Sequence, residues 1–140
     1  MPADPRAELK NVRLFSECSK DELREIDRLA DTIELEAGTE FVTQGHYGHA
    51  AYLVIDGEAA VIRDGEKVGT IGPGGTIGEL SVIEPGPRTA TVVAETKMTV
   101  LAFNSPEFLT AVEDIPALSR SLLRSLAKRL RELDDNPLAC

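Results

Sequence analysis

The hydrophobic pattern first predicts a short helix after a polar N-terminal segment. Residues 1–11 are rich in proline and charge, and we expect them to form a flexible arm. Ser19 followed by Glu22 is the pattern of a capping box, which begins a helix. Apolar residues then recur at helical spacing, at Leu23, Ile26, Leu29 and Ala30. The spacing predicts an amphipathic helix that ends near Asp31.

From Thr32 to Asn104 the pattern changes to short extended runs separated by glycine. The apolar or alternating runs lie at 33–35, 41–43, 51–55, 60–62, 67–71, 89–94 and 98–103. Asp64-Gly65 between two of them is a strong signal for a two-residue hairpin. Seven or eight short strands at this spacing predict a sandwich, a jelly roll or a small barrel.

Helical periodicity returns after Phe103. Ser105-Pro106 predicts a helix with serine as its N-cap and proline at the first helical position, and Ile115-Pro116 interrupts it. The last predicted helix spans about 116–133. Its leucines follow a heptad rhythm, at Leu123, Leu126, Leu130 and Leu133, with Leu118 and Leu122 beside them. Its other face is basic, at Arg120, Arg124, Lys128, Arg129 and Arg131. A leucine heptad is more often intramolecular core than oligomer seam, but a surface for a protein partner or a second copy stays open.

Length and charge narrow the class of protein. A chain of 140 residues is the size of one domain, here 12–134 with a β region at about 32–104, helices at about 105–133 and a tail at 135–140. The net charge of −9 argues against direct contact with nucleic acid or an anionic membrane surface. No apolar run is long enough for membrane insertion, and no secretory signal is evident, so we expect a cytoplasmic protein.

One segment differs from routine strand and turn. Gly78-Glu79-Leu80-Ser81 interrupts the strand pattern with a helical half-turn, and a proline-rich turn then leads to Arg88. A helix N-terminus attracts anions, and glycine lets a ligand approach the backbone closely. An arginine presents a planar donor fork that matches a phosphate, whereas a carboxylate accepts hydrogen bonds from hydroxyl groups. A ligand with both a phosphate and a sugar hydroxyl satisfies all of these groups.

This segment, with Pro87-Arg88-Thr89-Ala90 after it, resembles the phosphate-binding cassette of cyclic nucleotide-binding domains. That family includes catabolite activator proteins, regulatory subunits of protein kinase A and cyclic-nucleotide-gated channels. The resemblance extends from about residue 14 to residue 130. It implies a mainly β fold with flanking helices: an eight-stranded β-roll (double-stranded β-helix or jelly roll), a short N-terminal helix, a cassette helix and two C-terminal helices.

The resemblance also implies a role for each site residue. Arg88 would pair with the cyclic phosphate, assisted by backbone amides around Leu80 and Ser81. Glu79 would bind the ribose 2′-hydroxyl, and Gly78 would let the sugar approach. Thr89 occupies a position where threonine is associated with guanine, so the implied ligand is cAMP or cGMP, with no other cofactor. The last helix usually covers the base, which makes Leu122 and Leu126 candidate lid residues.

Four other interpretations compete with ligand binding. The first is that Glu79 and Arg88 form only a structural salt bridge that closes a turn, which does not explain the glycine or the helical break. His46 and His49 lie three residues apart, but with no other histidine in the chain a solvated loop is favoured over a metal site. No serine has a histidine partner at a motif spacing, so we do not expect an enzyme. The same fold without a ligand, acting as an interaction scaffold, is the main alternative function.

Overall fold

Two four-stranded antiparallel sheets form the centre of the molecule. The computed structural model describes residues 13–133, apart from the side chains of Arg13, Leu80, Val82 and Leu133, so the predicted arm and tail lie outside the described residues. The described strands are β1 (Ala30–Leu35), β2 (Glu40–Val42), β3 (Ala50–Asp56), β4 (Ala59–Arg63), β5 (Glu66–Ile71), β6 (Thr76–Ile77), β7 (Thr91–Ala94) and β8 (Met98–Asn104). One sheet has the order β1-β8-β3-β6 and the other β2-β7-β4-β5. The predicted eight-stranded roll is therefore confirmed.

Helices flank the strands on both sides in the sequence. A 3₁₀ turn (Arg13–Phe15) comes first, followed by α1 (Lys20–Arg28), α2 (Glu79–Ile83), α3 (Ser105–Asp114) and α4 (Pro116–Leu133). The capping box at α1 is confirmed, because the Ser19 hydroxyl accepts from the Glu22 backbone and the Glu22 carboxylate accepts from the Ser19 backbone. The helix ends at Arg28 rather than near Asp31. Ala30 already pairs with Phe103, so strand pairing takes over from the helix at that point.

The N-cap of α3 also differs from the sequence prediction. Asn104 is the N-cap, without a side-chain hydrogen bond, and Ser105 is the first helical residue. The reason lies in the sheet. Asn104 pairs with Ala50, and the Ser105 N–H donates to the carbonyl of His49 at 2.7 Å. The ladder between β3 and β8 thus continues to the first residue of the helix.

Two strands next to the segment 78–90 depart from the predicted runs. β6 has two residues, too few to give a periodic signal, and pairs with Tyr52 and Leu53. β7 begins at Thr91 rather than Thr89. The predicted hairpin between β4 and β5 is confirmed, with positive φ angles of 52° at Asp64 and 82° at Gly65, as a tight turn between twisted strands requires.

The core consists of two clusters of aliphatic side chains. One fills the space between the sheets, and the other packs the β1-β8-β3-β6 sheet against the helices. Leu118 and Leu122 of α4 belong to the second cluster, and Leu126 packs against it. Leu123 and Leu130 are 66% and 67% exposed. The expectation that the heptad leucines are core is therefore wrong for these two, which lie on the outer face of α4.

Candidate functional site

Gly78 turns the chain from β6 into α2. Its φ of +80° lies in the left-handed region, where a side chain is disfavoured. A Cβ at this position would also lie 2.1 Å from Nη1 of Arg88 and 3.1 Å from the carbonyl oxygen of Ala50. The glycine is thus required twice, by the backbone conformation and by the close approach of the arginine.

The Arg88 side chain is almost fully buried, with 7% of its surface exposed. Its Nη2 donates to the carbonyl of Ala50 at 2.6 Å, and its Nη1 donates to the carbonyl of Gly78 at 3.4 Å. On another side, a Cβ at Gly48 would lie 2.1 Å from Nε and 2.2 Å from Nη2. Two glycines therefore make room for this guanidinium. Sequence reasoning missed Gly48, whose only signal is one more glycine in a loop.

The loop that contains Gly48 also holds the backbone of Arg88. The Arg88 N–H donates to the carbonyl of His46 at 2.8 Å, and the Gly45 N–H donates to the carbonyl of Arg88 at 2.8 Å. These bonds explain why regular β7 pairing begins only at Thr91. His46 and His49 contribute backbone carbonyls here, and no group of three or more metal-ligating side chains occurs within the described residues.

Glu79, the first residue of α2, is also buried, with 4% of its surface exposed. The Arg129 guanidinium of α4 forms an ion pair with its Oε1. Between the two described side chains Glu79 and Arg88 there is no ion pair, because Arg88 is bonded to carbonyls and Glu79 to α4. The interpretation of these two residues as a salt bridge closing a turn is therefore wrong.

A cavity of about 240 Å³ brings most of the predicted site residues together. Gly78, Glu79, Ser81, Arg88 and Thr89 all line it. Leu80 contributes its backbone to α2, and its side chain lies outside the described structure. Sequence reasoning missed two other groups in the lining, which are the two arginines Arg63 and Arg129 and an apolar strip of Val42, Val61, Ile71, Ala90 and Val92.

A second cavity of about 530 Å³ adjoins the first and shares Thr76, Glu79 and Arg129 with it. It lies between α4, the 3₁₀ turn and the loop before β6. Leu122 lines this cavity, whereas Leu126 lines neither of the two. Of the two candidate lid residues, only Leu122 therefore faces space next to the site.

A second ion pair holds α4 close to this cavity. Arg124 donates to the Glu17 carboxylate at 2.8 Å, and this hydrogen bond and charge hold the pKa of Glu17 below its usual value of 4.5. Burial and the nearby carboxylates of Glu22 and Glu17 raise the pKa of the Cys18 thiol. A raised pKa keeps the thiol protonated, so Cys18 has little nucleophilic character.

The length and hydropathy of the helices decide whether any of them could cross a membrane. Of the helices in the described range 13–133, not one combines the length and the apolar character needed to cross a bilayer.

Comparison with known proteins agrees with this geometry. A model described as the cyclic nucleotide-binding domain matches residues 32–114. Over 133 residues the chain is 29% identical to a CRP-like cAMP-activated global transcriptional regulator of Mycobacterium tuberculosis, covering 91% of this chain and 59% of the relative. It is 32% identical to the Pycsar effector protein XpPycTIR of Xanthomonas perforans, covering 74% of this chain and 35% of the relative. The chain thus spans only part of the length of these relatives.

Solved structures share the same architecture. The Catabolite Activator Protein of Thermus thermophilus superposes with a TM-score of 0.81 at 29% identity, covering 87% of this chain and 60% of that one.

Proposed function

Because the chain belongs to the cyclic nucleotide-binding domain family, we propose that it is a non-catalytic regulatory module that binds cAMP or cGMP in the cavity beside α2. The observation that supports this most is a pair of buried, oppositely charged side chains that line one cavity without pairing to each other. Glu79 and Arg88 are 4% and 7% exposed. A buried charge is costly unless it is compensated, and among the described residues Arg88 meets only neutral carbonyl groups, so it suits an anion. The Glu79 carboxylate pairs with Arg129 through one oxygen, and its second oxygen is an acceptor suited to a hydroxyl.

Arg88 is suited to the cyclic phosphate. A guanidinium has five N–H donors, and the described structure shows hydrogen bonds from two of its nitrogens to carbonyls. Those bonds fix the orientation of the fork and leave donors for an anion in the cavity. The α2 backbone adds to this, because the first four N–H groups of a helix have no partner within it.

Glu79 is suited to a ribose hydroxyl. A carboxylate is an acceptor, and the 2′-hydroxyl is the group of the cyclised ribose that can donate to it. Arg129 already contacts this carboxylate from α4. A ligand hydroxyl at Glu79 therefore competes with or adds to the contact that holds α4 over the site, which provides a route from ligand to helix.

The response of α4 is the proposed signal. Leu123 and Leu130 present an exposed apolar face on this helix, suited to a protein partner or a second copy of the chain. A ligand shifts α4 only by as much as it binds one position of the helix more tightly than another. The alternative is a ligand-free scaffold, which would bind a protein partner through the β-roll or the basic face of α4 with no occupant of the cavity.

Thermal unfolding with cAMP, cGMP and noncyclic AMP separates the two. At about one hundred times its Kd, a ligand adds roughly 2.7 kcal/mol to the free energy of unfolding, a shift of several degrees in Tm. We expect stabilisation by at least one cyclic nucleotide and none by AMP at the same concentration. Absence of any shift at millimolar cyclic nucleotide would favour the scaffold.

A further inference from the structure

Arg63 is a charged group in the cavity that the proposed function leaves without a role. It is the last residue of β4, lines the cavity and is exposed at its edge. Its Nε donates to the carbonyl of Thr89 at 3.2 Å. Within the described residues no acidic side chain forms an ion pair with it. Its charge is thus available to a ligand, while its orientation is fixed by a backbone hydrogen bond.

The strand register places Arg63 at the end of an apolar strip. Alternate residues of a strand face the same side, so Val61 and Arg63 share a face of β4. Val61 pairs with Val92 of β7, and Ala90 lies two residues before Val92. All four of these side chains line the cavity. Three small apolar side chains therefore form a surface that ends at a guanidinium.

The other polar groups of the cavity lie on the cassette. Glu79 and Ser81 come from α2, and Arg88 reaches the carbonyl of Gly78 at the start of that helix. With a phosphate and a ribose bound by these groups, the apolar strip is the surface left for a flat base. Because Nε of Arg63 is already bonded to Thr89, its Nη groups are the donors left to face the edge of a base on that strip.

The edges of the two purines differ in what they offer a donor. Guanine presents two acceptors side by side, O6 and N7, whereas adenine presents the N7 acceptor next to an N6 amino donor. A guanidinium only donates, so it makes a paired contact with guanine and faces a like donor on adenine. We infer that Arg63 reads the base and that the site prefers cGMP to cAMP. This inference rests on the proposed function and adds a ligand preference to it.

Titration calorimetry of the wild type and Arg63→Ala with cGMP, cAMP and cIMP tests the inference. Inosine has the O6 and N7 acceptors of guanine but lacks its 2-amino group, so cIMP isolates the contact with Arg63. A paired arginine contact discriminates between bases by roughly tenfold to a hundredfold, and the wild type should prefer cGMP and cIMP over cAMP by that factor. In Arg63→Ala we expect this preference to vanish, with cAMP affinity changed by less than about threefold. Arg28→Ala, at an exposed arginine of α1 remote from the cavity, is the matched control.

The outcomes separate the inference from the proposed function. Equal weakening of all three ligands in Arg63→Ala would make Arg63 a phosphate contact and overturn the inference alone. A wild type that binds cAMP as tightly as cIMP would overturn it without any variant. A wild type that binds no cyclic nucleotide would overturn both.

Discussion

Replacing Gly48 by alanine tests whether the buried guanidinium of Arg88 binds the ligand, without changing any charge. An added Cβ would lie 2.1, 2.2 and 2.4 Å from Nε, Nη2 and Cζ of Arg88. No heavy atoms approach that closely without repulsion, so the arginine must move. The φ of Gly48 lies outside the left-handed region, so alanine causes no backbone strain of that kind.

The size of the effect follows from the bonds that Arg88 loses. Moving the guanidinium breaks the 2.6 Å bond to Ala50 and the weaker 3.4 Å bond to Gly78. A hydrogen bond from a charged group contributes about 1.5–3 kcal/mol, so we expect a loss of about 2 kcal/mol of stability from the stronger one. The phosphate contact should also weaken, by about 3 kcal/mol if both bonds of the fork are lost at about 1.5 kcal/mol each, which is more than a hundredfold in Kd.

The assay is calorimetric titration with cGMP and cAMP, together with chemical denaturation of the same samples. Gly69→Ala is the matched control, because Gly69 has no positive φ and a Cβ there meets nothing within 4 Å. We expect Gly69→Ala to bind like the wild type and Gly48→Ala to bind at least a hundredfold more weakly while still folding. Wild-type affinity in Gly48→Ala would refute the claim that the observed position of Arg88 is the binding position.

Two further predictions concern the ion pairs of α4. Arg129→Gln removes the cation from the buried Glu79 carboxylate and should lower the free energy of unfolding by about 1–3 kcal/mol, with Arg131→Gln on the same helix as the control. In a double-mutant cycle, adding Glu79→Gln to Arg129→Gln should restore most of that loss, and additive effects of the two substitutions would contradict the pairing. Arg124 lowers the pKa of Glu17 in the folded state, so their pair stabilises the protein above the unfolded pKa near 4.5 and loses this effect as the pH falls through the lower folded pKa. The free energy of unfolding, measured against pH, should therefore fall less steeply in that window for Arg124→Gln than for the wild type. Identical pH dependence in the two proteins would contradict the prediction.

The strands and helices were predictable wherever a periodic pattern or a cap specifies them. The hairpin at Asp64-Gly65 and the capping box at Ser19 are local signals, and the structure retains both. The errors came from tertiary pairing. Ala30 was predicted in α1 but lies in β1, where it pairs with β8. Ser105 was predicted as an N-cap but is the first helical residue, because its N–H donates to the carbonyl of His49. The partners, Phe103 and His49, are distant in the sequence, so a local sequence pattern cannot predict these pairings.

The candidate site was predictable only in part for the same reason. Gly78, Glu79 and Arg88 lie within one short segment whose residue types and spacing are distinctive. Arg63, Gly48 and Arg129 reach the site from a strand, a loop and a helix distant in the sequence. Each has an ordinary local context, so only the folded arrangement shows their position. The exposure of Leu123 and Leu130 was likewise hidden, because a heptad does not reveal which face of the helix packs inward.

Direct titration of the wild type and of Arg88→Ala with cAMP and cGMP tests the central claim, which is that Arg88 binds a cyclic phosphate. Arg24→Ala, at an exposed arginine of α1, controls for the loss of one positive charge. The account predicts saturable binding to the wild type and to Arg24→Ala, and affinity at least a hundredfold weaker in Arg88→Ala, from about 3 kcal/mol of lost charged hydrogen bonds. Equal affinity in all three proteins would contradict it.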